Sequence, residues 1–88
     1  MRQKAPNEPR ILVVEDEASL GELLTYNLTA EGYSVERAER GEEAELKLLE
    51  NPPDLVILDW MLPGVSGIEI CRRLRARDET KSLPVIML

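Results

Sequence analysis

Eighty-eight residues, 43% of them hydrophobic, suffice for one small globular domain with a thin core, because a chain this short buries only about 60–65% of its unfolded surface. A net charge of −6 argues against broad, salt-driven nucleic-acid binding by this segment, and the absence of histidine excludes histidine catalysis and histidine metal ligation. The single cysteine, Cys71, excludes an intrachain disulfide and fits a reducing, cytoplasmic compartment.

The start, Met1 to Pro9, is polar and proline-containing and lacks the apolar region of a secretory signal. It reads as a flexible lead-in over residues 1–9, ahead of a domain over residues 10–88. No apolar stretch approaches the roughly 20 residues of a membrane span. Arg10 to Val14 predicts a first strand. Ala18 to Glu31 predicts a helix, with Leu20, Leu23, Leu24 and Leu28 at i, i+3, i+4 and i+8 as its core face, and Gly32 placed to end it. Tyr33 to Ala38 predicts a second, weaker strand. Glu42 to Glu50 predicts a helix with Ala44, Leu48 and Leu49 inward, stopped by Asn51-Pro52-Pro53. Leu55 to Leu58 predicts the strongest strand. Met61 to Gly67 is a loop carrying Pro63 and Gly64. Ile68 to Arg77 predicts a third helix with Ile70, Cys71 and Leu74 as its apolar stripe. Ser82 to Pro84 is a turn, and Val85 to Leu88 opens a fourth strand.

Strands alternating with helices imply a parallel sheet, right-handed crossovers and helices on both faces. Val85-Ile86-Met87-Leu88 would leave an apolar edge liable to pair with another chain, so the sequence reads as a fragment or the visible part of a longer chain.

Two strand ends carry the chemistry. Ile11-Leu12-Val13-Val14 runs into Glu15-Asp16-Glu17, and Leu55-Val56-Ile57-Leu58 runs into Asp59. In open α/β sheets the ligand crevice lies outside the carboxyl ends of the strands. If the two strands are neighbours, Glu15, Asp16 and Asp59 converge. Such a cluster repels itself unless a cation sits in it, and hard oxygen ligands suit Mg²⁺. Taken alone, Glu15 and Asp16 read equally well as acidic residues favoured at a helix N-terminus. Asp59 tips the balance: four apolar residues fix where its carboxylate leaves the core, and Trp60-Met61-Leu62 is too apolar for a solvated turn. Such a loop offers backbone carbonyls to a cation.

These residues also resemble a known family. Ile11-Leu12-Val13-Val14-Glu15-Asp16-Glu17, Asp54-Leu55-Val56-Ile57-Leu58-Asp59 and Met61-Leu62-Pro63-Gly64-x-x-Gly67 look like the receiver domain of two-component response regulators, and the likeness runs from Arg10 to Leu88. Asp59-Trp60-Met61-Leu62-Pro63-Gly64 most resembles the phosphate-regulon regulators of the winged-helix output class. The resemblance implies a flavodoxin-like α/β fold, βαβαβαβ, with strand order 2-1-3-4 and a fifth strand missing. It implies a signalling phosphoprotein rather than an enzyme. Asp59 would be the phosphoacceptor for a sensor histidine kinase. Asp16 would ligate Mg²⁺ directly, Glu15 through water, and Asp59 and the Met61 main-chain carbonyl would be further ligands. The phosphorylated full-length protein would form a homodimer and regulate transcription through a DNA-binding domain that is not in this chain.

The same resemblance implies a Ser or Thr after the fourth strand and a Lys after the fifth. Both positions would lie beyond Leu88, as would the face through which many such domains dimerise. The 88 residues alone are therefore expected to bind Mg²⁺ weakly and to switch poorly or not at all. Two other classes compete. A small Mg²⁺-dependent phosphohydrolase with an aspartyl nucleophile would carry a second Asp two residues on, where this chain has Met61. A non-signalling receiver-like interaction module would bind its partner regardless of Asp59.

Other residues have simpler readings. Cys71 reads as a small core hydrophobe rather than a redox group. Arg72, Arg73, Arg75 and Arg77 read as a solvated helix face rather than a nucleic-acid contact. In the resemblance the first helix near Leu20 and Leu24 also meets the kinase, which makes Ser19 and Glu22 candidate contacts. Trp60 either gates the site or packs beside it.

Overall fold

The computed structural model describes residues 8–88; most of the expected lead-in over residues 1–9 lies outside them. The elements run β1 (Arg10–Val14), α1 (Ala18–Ala30), β2 (Ser34–Ala38), α2 (Gly41–Glu50), β3 (Leu55–Leu58), α3 (Gly67–Arg75) and β4 (Val85–Met87). All pairings are parallel, and the sheet order is β2-β1-β3-β4. The fold is thus a four-stranded, flavodoxin-like α/β sheet with the expected order.

Side chains alternate across a strand, and β1 feeds two cores. Ile11 and Val13, with Ile57 of β3, face Leu24 and Leu28 of α1 together with Tyr33 and Val35. Leu12 and Val14, with Val56 and Leu58, face Ala44 and Leu48 of α2 and Ile70 and Leu74 of α3. Val13, Val14, Val56 and Leu58 are all 0% exposed, as strands covered on both faces must be.

Local chemistry sets the helix ends. Glu17 caps α1, its carboxylate accepting from the N–H groups of Ser19 (3.2 Å) and Leu20 (2.8 Å). At the other end Gly32 takes φ +98°. Its N–H donates to the Thr29 carbonyl and that of Tyr33 to Leu28, a Schellman closure. Ser66 caps α3, accepting from the Glu69 N–H at 3.2 Å. Past the end of α3, the buried Thr80 hydroxyl donates to the Leu74 carbonyl at 2.7 Å, so α3 stops at Arg75 and not at Arg77.

Two expectations about the core are corrected. Leu20 and Leu23 are 37% and 56% exposed, not core. The face that α1 lays on the sheet is Gly21–Leu24–Leu28, where Gly21 is buried, and Leu20 and Leu23 lie to one side of it. Leu49 is 50% exposed. It is one position, about 100° of helix, from the buried Leu48, and only one of two successive leucines can face the sheet. At the sheet edge, β4 leaves Ile86 and Met87 about half exposed, with Leu88 beyond it. Cys71 is half-buried against the larger core. On the outer face of α3, Arg72 and Arg73 both bond Glu69, and Arg73 reaches Glu45 of α2 at 2.6 Å. These guanidinium groups hold the Glu69 carboxyl down at about 2, and the helix carries the solvated charged face expected of it.

Candidate functional site

β1 and β3 are hydrogen-bonded neighbours, with Val14 opposite Leu58. The next residue of each strand therefore emerges at the same edge. The Asp59 N–H donates to the Val14 carbonyl at 2.9 Å, and the Glu15 N–H to the Ala38 carbonyl at 3.0 Å. Those backbone bonds fix both acidic positions before any side-chain contact is counted. The carboxylates of Glu15, Asp16 and Asp59 then converge, with one oxygen from each within 4.8 Å of the others. Glu15 is buried, Asp59 half-buried and Asp16 exposed.

Glu15 and Asp16 both precede helix α1. Helix α1 begins at Ala18, Glu17 caps it, and its first turn contains no acidic residue. The Glu15 carboxylate accepts the Glu17 N–H at 2.9 Å. Burial pushes the Glu15 carboxyl up from its usual 4.5, and the charge of Asp59 and hydrogen bonds with Asp16 and Asp59 push the same way; the bond from Glu17 opposes them. Asp59 accepts the Met61 N–H at 3.0 Å, which brings the Met61 backbone beside the cluster.

The loop after β3 is held close to it. The Gly67 N–H donates to the Trp60 carbonyl at 3.0 Å. A Cβ on Gly67 would collide with the Asp59 carbonyl oxygen and lie 2.6 Å from the Trp60 Cα, so only glycine allows this approach. Gly64 takes φ +78°, the left-handed region that glycine tolerates. Beside the cluster opens a groove of about 610 Å³ lined by Asp16, Trp60, Met61, Leu62, Pro63, Ser66 and Ile68. Trp60 is 48% exposed on its rim. Ser66 had no role in the sequence reading, although the Ser66-x-x-Glu69 spacing is a helix-start signal.

Three converging carboxylates form a hard, oxygen-only donor set. That set fits Mg²⁺. A family model for the response regulator receiver domain matches residues 11–88. This chain belongs to the response regulator receiver family. Receiver domains are signalling domains, and this one is similar to the phosphate regulon transcriptional regulatory protein PhoB of Rhizobium meliloti. The two are 66% identical over 80 residues, 91% of this chain and 35% of that protein. A response regulator structure from Chloroflexus aurantiacus superposes with a TM-score of 0.90 at 40% identity, covering 92% of this chain and 66% of that one. The chemotaxis response regulator CheY4 of Vibrio cholerae gives 0.88 at 30% identity, over 92% of this chain and 68% of that one. The chain spans about a third of the length of the curated regulator it matches. Among the described residues no helix is long and apolar enough to cross a membrane.

Proposed function

We propose that Asp59 of this receiver domain accepts a phosphoryl group from the phosphohistidine of a sensor histidine kinase. The observation that carries this reading is the convergence of Glu15, Asp16 and Asp59 within 4.8 Å at the carboxyl ends of two adjacent strands. In the step, a carboxylate oxygen of Asp59 bonds to phosphorus as the bond from phosphorus to the imidazole nitrogen breaks. The electron pair returns to the imidazole, which takes a proton from solvent, and an aspartyl phosphate remains. The Met61 N–H, bonded to Oδ1 of Asp59, orients the carboxylate. The backbone bond from Asp59 to Val14 holds the nucleophile in place for in-line attack.

Asp16, Asp59 and the Met61 carbonyl would hold Mg²⁺, with Glu15 acting through water. The ion, when bound, would offset the charge of the transferring phosphoryl oxygens. Asp16 is exposed and Glu15 buried, which suits a direct ligand at the mouth and an outer ligand beneath it. Position 61, where a phosphohydrolase would keep its acid, is a methionine.

The name of the Rhizobium relative and the resemblance to the winged-helix class extend the proposal. The phosphorylated state would control a DNA-binding, transcription-regulating output domain in a cytoplasmic phosphorelay, with dimerisation of the full-length protein. The test is transfer from a phosphohistidine donor. The reading predicts a hydroxylamine-labile phosphoryl group on the chain, absent from Asp59→Asn. A phosphoryl group stable to hydroxylamine would contradict it.

A further inference from the structure

We propose that Gly41, the first residue of α2, is a positioning residue for the acidic site, acting through the loop that follows Asp59. The inference rests on the reading that Asp16, Asp59 and the Met61 backbone hold the cation. Gly41 is buried, and the positive-φ glycines among the described residues are Gly32 and Gly64. Backbone conformation therefore does not explain a glycine here. Space does. A Cβ on Gly41 would collide with the Val65 carbonyl oxygen and lie 2.9 Å from the Val65 Cβ.

The contact is one of three that seat the loop. The Glu42 carboxylate fills the place a Cβ would take on Gly64, 2.5 Å from it. Gly67 closes the far end against Asp59 and Trp60. The N-terminus of α2 is thus the stop against which residues 60–66 rest. Helix α2 cannot retreat from an added methyl, because Ala44 and Leu48 are 0% and 1% exposed in the core. The loop has to give. Residues 59–67 form a closed turn, bonded at Gly67–Trp60. A shift at Val65 therefore reaches the Met61 backbone and its bond to Asp59.

Three variants of the chain test this, each titrated with Mg²⁺ alone and followed by emission of Trp60, the single tryptophan. Gly41→Ala is expected to weaken Mg²⁺ binding about tenfold, the cost of misplacing a supporting contact. Leu46→Gly weakens the same helix at an exposed position outside the core, and is expected to leave Mg²⁺ affinity unchanged. Val65→Ala probes the contact from the loop side without a clash, and is expected to weaken binding by a smaller factor. It keeps the inference testable if Gly41→Ala does not fold. Equal losses in Gly41→Ala and Leu46→Gly would overturn the proposal, since destabilisation alone would then explain both. So would wild-type affinity in Gly41→Ala and Val65→Ala. Asp59→Asn separates the two levels. If it lowers Mg²⁺ affinity while the Gly41 and Val65 variants do not, the positioning role fails and the site reading stands. If it too leaves affinity unchanged, the site reading fails and the inference falls with it.

Discussion

Replacing Asp59 with Asn should make the metal-free protein more stable. The carboxylates of Glu15, Asp16 and Asp59 meet within 4.8 Å. At that separation a pair of unit charges repels by about 1 kcal/mol in bulk water and about 3.5 kcal/mol at the effective dielectric of a protein surface. Asp16 is exposed and Asp59 only half-buried, so solvent screens the interaction. The lower part of that range is therefore the appropriate one, about 1–2 kcal/mol. Asn keeps an oxygen to accept the Met61 N–H at 3.0 Å, so little is lost in exchange. For a domain of this size that gain corresponds to about 4–16 °C in melting temperature. Mg²⁺ should reverse the order. A ligand at 100 times its dissociation constant adds about 2.7 kcal/mol to the protein that binds it, and Asp59→Asn binds it less well. The assay is thermal unfolding followed by far-ultraviolet circular dichroism, in EDTA and in excess Mg²⁺. An Asp59→Asn protein that melts below wild type in EDTA would refute the reasoning, as would an equal Mg²⁺ increment in both proteins.

Other perturbations have defined directions. Because the folded chain raises the Glu15 carboxyl above its usual 4.5, folding takes up protons there. Metal-free stability should fall as pH climbs through that range and level off above the raised value; urea midpoints across pH in EDTA would measure it, and a midpoint that rises instead would oppose the account. Gly67→Ala drives a methyl into the Asp59 carbonyl. It should cost about 1–3 kcal/mol by overpacking and weaken Mg²⁺ binding as well, both readable by titration with and without the ion. Ser66→Ala removes the α3 cap to the Glu69 N–H. It should cost about 1 kcal/mol, and Ser66→Asp should restore most of it in the same denaturation assay.

The strands were legible because their chemistry is local. Ile11–Val14 and Leu55–Leu58 are apolar runs bounded by charged residues and proline, and β1 and β3 have the predicted bounds. The edge strand β2 was weaker in the sequence because Val35 is the one β-branched residue from Tyr33 to Ala38, and it begins at Ser34, one residue after the predicted start. The candidate site was legible as two acidic strand ends. Their convergence depends on β1 and β3 being neighbours, which is a tertiary fact supplied by the pairing of Val14 with Leu58. Residues whose roles are purely tertiary left no trace. Thr80 sits among Asp78, Glu79 and Lys81 yet is buried at 2% exposure to satisfy a helix carbonyl. Gly41 has an ordinary helical context and a neighbour 24 residues away in Val65. The leucines of α1 were over-assigned to the core for the complementary reason. Helical periodicity marks an apolar stripe but not how much of it the sheet covers, and Leu20 and Leu23 fall outside that cover.

The central claim is that Asp59 receives a phosphoryl group at a cation-dependent site. The intact mass of the purified chain, before and after a small-molecule acyl phosphate, tests it most directly. The account predicts one phosphoryl increment with Mg²⁺, lost in EDTA and absent from Asp59→Asn. An increment that persists in Asp59→Asn, or that forms equally well without a divalent cation, would contradict it.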